Sequence, residues 1–179
     1  MTLTYTTLIM GLVLLLKGGW FLWNGKPVER INKASLRNRP TTFVLLVLAT
    51  VWFIWNITGL GPSDFGNYKH YMIVFVMGIA VGSWFYVPDF LAVRAACGIA
   101  LLFSNVVLHS AFALYDLPQR LFLVTFTYLL ITASIYFGVV PYRMRDLLDW
   151  MHAKTIRIRC IGGIMAVYGL ILIGTLFTY

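Results

Sequence analysis

Three polar residues that could do chemistry lie in one apolar stretch of the chain. Arg94, Asn105 and His109 belong to a series with spacings of three or four residues, so their side chains share one face of a helix. The full series, called here the polar stripe, is Arg94, Gly98, Leu101, Asn105, His109 and Phe112. Because polar groups are costly in lipid, we expect the polar stripe to face other helices or a hydrated cavity.

The sequence leaves two uses of the polar stripe open. Asn105 and His109 could form hydrogen bonds to neighbouring helices, at roughly 0.6 kcal/mol for each bond. They could instead line a pocket or path for a small solute or a quinone, together with Asn56 and Thr58, which lie at a similar depth in the second span.

Two histidines raise the question of a cofactor. His109 and His70 both fall near the outer ends of neighbouring antiparallel spans, where a pair of imidazoles could ligate haem or hold a pigment. Cys97 and Cys160 have no metal-binding spacing, and we expect both to be small buried residues. No metal and no cofactor is the simpler expectation, with haem or pigment as the alternative.

Lys17 lies inside the first apolar run, where an ammonium must reach the headgroups or pair with another group. It completes a set of intramembrane polar residues with Arg94, Asn105, His109 and Asn56.

Motifs of catalysis are absent from the sequence. No G-x-S-x-G, P-loop, GxGxxG or HExxH pattern occurs. Asp146, Asp149 and His152 match no metal or phosphotransfer spacing, and we expect a solvated helix face there. The sequence therefore predicts no enzymatic activity.

Composition indicates which elements must position these residues. Hydrophobic residues make up 60% of the chain and charged residues 11%, against about a quarter charged in soluble domains. A spanning helix needs about 20 mostly apolar residues, so the 179 residues can hold several spans and no additional soluble domain. We expect one all-α transmembrane domain over residues 1–179.

The positions of the basic residues predict orientation. Ten of the 14 Lys and Arg residues lie in two stretches, Asn24 to Pro40 and Pro141 to Arg159. Basic loops stay on the cytoplasmic side, and we do not expect a nucleic-acid partner because membrane-flanking charge suits anionic lipid headgroups. The predicted headgroup contacts are Arg37, Arg39, Arg143, Arg145, Arg157 and Arg159.

Apolar runs and turn residues divide the chain into six spans, with both termini outside. The predicted spans cover residues 6–23, 41–60, 70–87, 89–114, 121–140 and 160–177. In the second basic stretch, apolar residues recur at i, i+3, i+4 and i+7, which predicts a short cytoplasmic helix lying on the membrane. These residues are Met144, Leu147, Leu148 and Met151.

Two pairs of small residues are typical of close helix packing. Gly78 and Gly82 lie one turn apart in the third span, and Gly162 and Ala166 lie one turn apart in the sixth. The sequence does not say whether they join helices of one chain or of neighbouring subunits.

Three short motifs carry a resemblance. Leu36-Arg37-Asn38-Arg39, Val87-Pro88-Asp89-Phe90-Leu91-Ala92-Val93-Arg94 and Pro141-Tyr142-Arg143-Met144-Arg145-Asp146 together resemble a group of small polytopic bacterial inner-membrane proteins of unknown function. The chain departs from that group at Leu36, where proline would be expected. The resemblance implies a bacterial inner membrane and implies no activity.

The combined pattern favours a non-catalytic subunit that packs within, or scaffolds, a larger membrane complex. Small loops, close-packing glycines and the lack of catalytic motifs agree with that role. A small-solute transporter or channel lined by the polar stripe is the alternative. A membrane subunit that binds haem, a pigment or a quinone is the further alternative.

Overall fold

The computed structural model describes residues 2–23, 38–87 and 89–178, and within them the chain is helical with no β-strand. The α-helices of the described residues are α1 (Leu3–Trp23), α2 (Arg39–Thr58), α3 (Lys69–Tyr86), α4 (Leu91–Ala111), α5 (Arg120–Val139), α6 (Tyr142–His152) and α7 (Thr155–Thr175). Short 3-10 turns cover Pro62–Asp64, Gly66–Tyr68 and Leu176–Thr178. The protein is therefore an all-α membrane protein.

Five of the described helices are long and apolar enough to cross a membrane: α1, α2, α4, α5 and α7 with its terminal 3-10 turn. The third helix, predicted as a span over 70–87, is not among them. It has 18 residues, and Lys69 and His70 at its beginning lower its mean hydropathy.

Helix ends differ from the predicted bounds for local reasons. At its N-terminus, α7 begins at Thr155 rather than at residue 160, because a helix can carry Arg157 and Arg159 beyond the apolar core. At its C-terminus, α4 ends at Ala111 rather than at residue 114, since Ala113 has a left-handed backbone with φ of 61°. The Arg120 guanidinium donates to the carbonyl of Ala111 at 2.6 Å and thereby caps α4.

A four-helix core holds the bundle together. Helices α1 and α7 form the most extensive pair, α4 packs against α5, and a shared apolar cluster joins all four. Its buried residues are Leu3, Met10, Leu14, Val107, Ala111, Leu123 and Leu172. A hydrogen bond of 2.7 Å between the hydroxyls of Thr6 and Ser110 also links α1 to α4.

The pair of α1 and α7 is close because four glycines remove the side chains between them. A Cβ added to Gly18 would lie 2.7 Å from the Gly162 carbonyl oxygen, and one added to Gly169 would lie 2.9 Å from the Gly11 carbonyl oxygen. Position 11 meets 169 and position 18 meets 162, so the two helices are antiparallel. The contact repeats after seven residues on both helices.

Helix α3 lies at the edge of the bundle. It packs mainly on α2, and none of its residues is buried. Lys69 donates from Nζ to the carbonyl of Thr58 at 2.9 Å, which closes the C-terminus of α2 and fixes where α3 begins. The rest of α3 follows α2 with little cover from other described helices.

The surface helix α6 packs on α7 and α5. Met151 is buried, while Met144, Leu147 and Leu148 are half-buried, and these are the four residues of its predicted apolar face. Arg145 on the opposite face forms an ion pair with Asp146 at 3.0 Å.

Candidate functional site

The two faces of α4 have different surroundings. Cys97, Ser104, Val107 and Ala111 are buried in the bundle, whereas Arg94, Asn105 and His109 are exposed on the other side. The polar stripe thus faces away from the four-helix core, and its members Gly98, Leu101 and Asn105 lie beside α2 and α3.

A cavity of about 480 Å³ lies between α2, α3 and α4. It contains Asn56 from α2, Ser83 from α3 and Asn105 from α4, and the remaining walls are mostly apolar. We call it the asparagine groove, defined by these three residues with Leu46, Phe53, Ile79 and Leu101. The structure brings Asn56 and Asn105 to one cavity, whereas His109 and Thr58, the other two residues of the predicted solute or quinone pocket, do not line it.

Hydrogen bonding within the asparagine groove is incomplete. Asn56 donates from Nδ2 to the carbonyl of Trp52 at 2.9 Å, and Thr50 donates to Leu46 in the same way at 2.8 Å. Among the described residues, the side chains of Asn105 and Ser83 form no hydrogen bond. The side-chain amide of Asn105 is therefore available for a hydrogen bond with a group from outside the described residues.

The other predicted polar residues do not join the groove. His109 and His70 are exposed at the last turn of α4 and the first turn of α3, and neither lines the asparagine groove. Arg94 and Lys17 are exposed on α4 and α1. In the described ranges, no group of three or more His, Cys, Asp or Glu side chains could hold a metal ion.

The two cysteines differ in their surroundings. Cys97 is buried in α4, as expected, but Cys160 is exposed on α7. The expectation of a buried Cys160 was wrong, because that residue precedes Gly162 by two positions and falls on the side of α7 away from α1.

The basic residues predicted to contact headgroups differ in exposure. Arg39, Arg143, Arg145 and Arg159 are exposed, and Arg157 is half-buried because its guanidinium stacks on Trp150 at 4.6 Å. Arg37 lies outside the described residues.

The two predicted packing pairs have different surroundings. Gly162 contacts α1 so closely that an added Cβ would lie 2.9 Å from the Cβ of Phe21, and Ala166 touches the same helix at Gly18. Around Gly78 and Gly82, in contrast, an added Cβ would meet nothing within 4 Å.

Sequence reasoning missed two sets of residues. Gly11, Gly18 and Gly169 share the seven-residue repeat of the α1 and α7 contact, and that spacing was readable in the sequence. Ser83 gave no signal in the sequence, because its importance depends on which helix α3 packs against.

Comparisons with protein-family models, with curated proteins and with solved structures give no match to this chain.

Proposed function

We propose that this chain is a non-catalytic membrane subunit whose asparagine groove receives a transmembrane helix of a different subunit. The observation that carries the proposal is the Asn105 side chain, which is exposed at hydrocarbon depth without a hydrogen-bond partner in the described chain. Hydrocarbon tails offer no such partner, whereas a polar side chain on an approaching helix does.

The shape of α3 supports a protein occupant. Gly78 and Gly82 do not line the asparagine groove, but they lie one turn apart on another face of α3, where small residues allow a second helix backbone to approach closely. Because α3 buries no residue in its own chain, an approaching helix would also cover a face that is otherwise unpartnered.

The proposal includes the finer topology. Helix α3, at about 27 Å, matches the roughly 30 Å hydrocarbon core when modest thinning or flanking side chains compensate. Six spans then place both termini outside and α6 on the cytoplasmic face of a bacterial inner membrane, with the basic stretches beside anionic headgroups.

Photocrosslinking in native membranes tests the function. A photoreactive amino acid at Ile79, in the groove, should give an adduct with another membrane protein, and the same group at Val167 on α7 should not. Asn105→Leu should weaken the complex roughly threefold, as expected for one interhelical hydrogen bond.

Thr132→Val is the matched control for that substitution, because the Thr132 hydroxyl bonds its own helix at Tyr128 and lies outside the groove. An adduct of twice the chain mass would make the occupant a second copy and would contradict the proposal. Lipid adducts alone would contradict it as well.

A further inference from the structure

Two further cavities lie on α2 and α3, one of them at the end of the bundle where α2 and α4 begin and α3 ends. The first has a volume of about 650 Å³ and is lined by Arg39, Thr42, Asp89, Leu91 and the aromatic residues Trp84 and Phe85. The second has a volume of about 320 Å³ and follows the contact between α2 and α3. It flanks the side of that contact away from Asn56 and Asn105.

The two cavities adjoin each other at a shared aromatic wall. Trp84 and Phe85 line both of them, and Phe43 packs edge-on against Trp84 with ring centroids 5.7 Å apart. Tryptophan is enriched at the boundary between headgroups and hydrocarbon, so these residues mark the depth at which one cavity passes into the other. A polar chamber and an apolar channel therefore lie next to each other, with Trp84 and Phe85 in the walls of both.

The apolar channel has the length of one membrane leaflet. Its walls on α2 extend from Phe43 to Ile54, which corresponds to about 16 Å of helix at 1.5 Å per residue. Half of a hydrocarbon core is about 15 Å thick. Phe43, Val47, Met77 and Val81 provide walls without charge, as an acyl chain requires.

The polar chamber contains one charge of each sign. Arg39 and Asp89 line the same chamber, and both are exposed. Within the described residues, no ion pair joins Arg39 to Asp89. An anionic headgroup would satisfy Arg39 but would be repelled by Asp89, whereas a headgroup with a phosphate and an ammonium satisfies both.

We infer that these adjoining cavities together form a site for a zwitterionic amine phospholipid, with phosphate at Arg39, ammonium at Asp89 and an acyl chain between α2 and α3. This site does not depend on the proposed partner helix, which occupies the asparagine groove on the other flank of α3. It also differs from general attraction of the basic loops to anionic lipid, because it selects for the amine.

Native mass spectrometry of the delipidated full chain tests the site. Phosphatidylethanolamine and phosphatidylglycerol of the same chain length are titrated separately, and the ethanolamine lipid should bind about fivefold more tightly. Asp89→Asn should abolish that preference, and Arg39→Gln should weaken both lipids. Asp64→Asn is a matched control outside the chamber, and it should leave the preference unchanged.

Two further measurements separate a lipid site from simpler explanations. Val81→Trp, which fills the channel, should reduce binding of both lipids while the melting temperature stays near that of the original chain. Soluble glycerophosphoethanolamine should not compete at concentrations comparable with the lipid. Equal binding of the two lipids, an unchanged preference in Asp89→Asn, or competition by the soluble headgroup would each overturn the inference.

Discussion

At the scale of single residues, adjacent glycines of this chain differ in whether they contact another helix. On α1, Gly18 meets the backbone of α7, while Gly19 points into open space. The same contrast separates Gly162 from Gly163 on α7. The sequence shows adjacent glycines in both places, and only the structure shows which of each pair lies between the helices.

The contrast predicts opposite effects of one substitution. Gly18→Ala should lower the free energy of unfolding by about 1–3 kcal/mol, because the new methyl group meets backbone atoms that cannot move aside singly. Gly19→Ala should raise it by about 0.5–1 kcal/mol through lower entropy of the unfolded chain. Unfolding titrations in mixed micelles measure both, and equal effects of the two substitutions would contradict this account of the contact.

At the scale of elements, helix positions could largely be predicted from the sequence, and helix partners could not. Apolar runs and turn residues such as Pro62 and Pro118 locate seven helices to within a few residues. The i, i+3, i+4 and i+7 pattern also identifies the packed face of α6, since Met151 is buried and Met144, Leu147 and Leu148 are half-buried.

The sequence predicts less well which helices pack against each other, because residues that face lipid and residues that face another helix are equally apolar. Gly78 and Gly82 have the same spacing as Gly162 and Ala166, yet only the second pair contacts another described helix. The polar stripe was predictable as one face, and its position beside α2 and α3 depends on packing that no local pattern encodes.

The edge position of α3 predicts a difference in dynamics. Amide hydrogens of α3 should exchange with deuterium faster than those of α4, because α3 buries no residue and packs mainly on one helix. Exchange followed by mass spectrometry of peptic fragments measures the two helices in one sample. Equal protection of α3 and α4 in the isolated chain would show that α3 is held as firmly as the core.

At the scale of the whole molecule, the described bundle has a closed side and an open side. The closed side contains the glycine contact and the apolar cluster of four helices. The open side contains α3, the asparagine groove and the proposed lipid site. Proposed contacts with other molecules therefore concentrate on the flanks of one helix.

Topology gives a prediction for the entire chain. Alkaline phosphatase joined after residue 179 should be active, because that terminus is proposed to lie outside, and green fluorescent protein joined there should be dark. The same two reporters joined after Ala153, between α6 and α7, should give the opposite result. Matching signals at the two positions would contradict six spans.

The pairing of α1 with α7 also sets an order of assembly. Gly18 and Gly162 are 144 positions apart, so ribosomes adding 5–20 residues per second make the second partner roughly 7–29 s after the first. During that interval the glycine face of α1 is bare and able to bind other small-residue helices in the membrane. The packing of α7 on α1 thus completes the four-helix core. Until α7 is made, α1 can pair with a wrong helix.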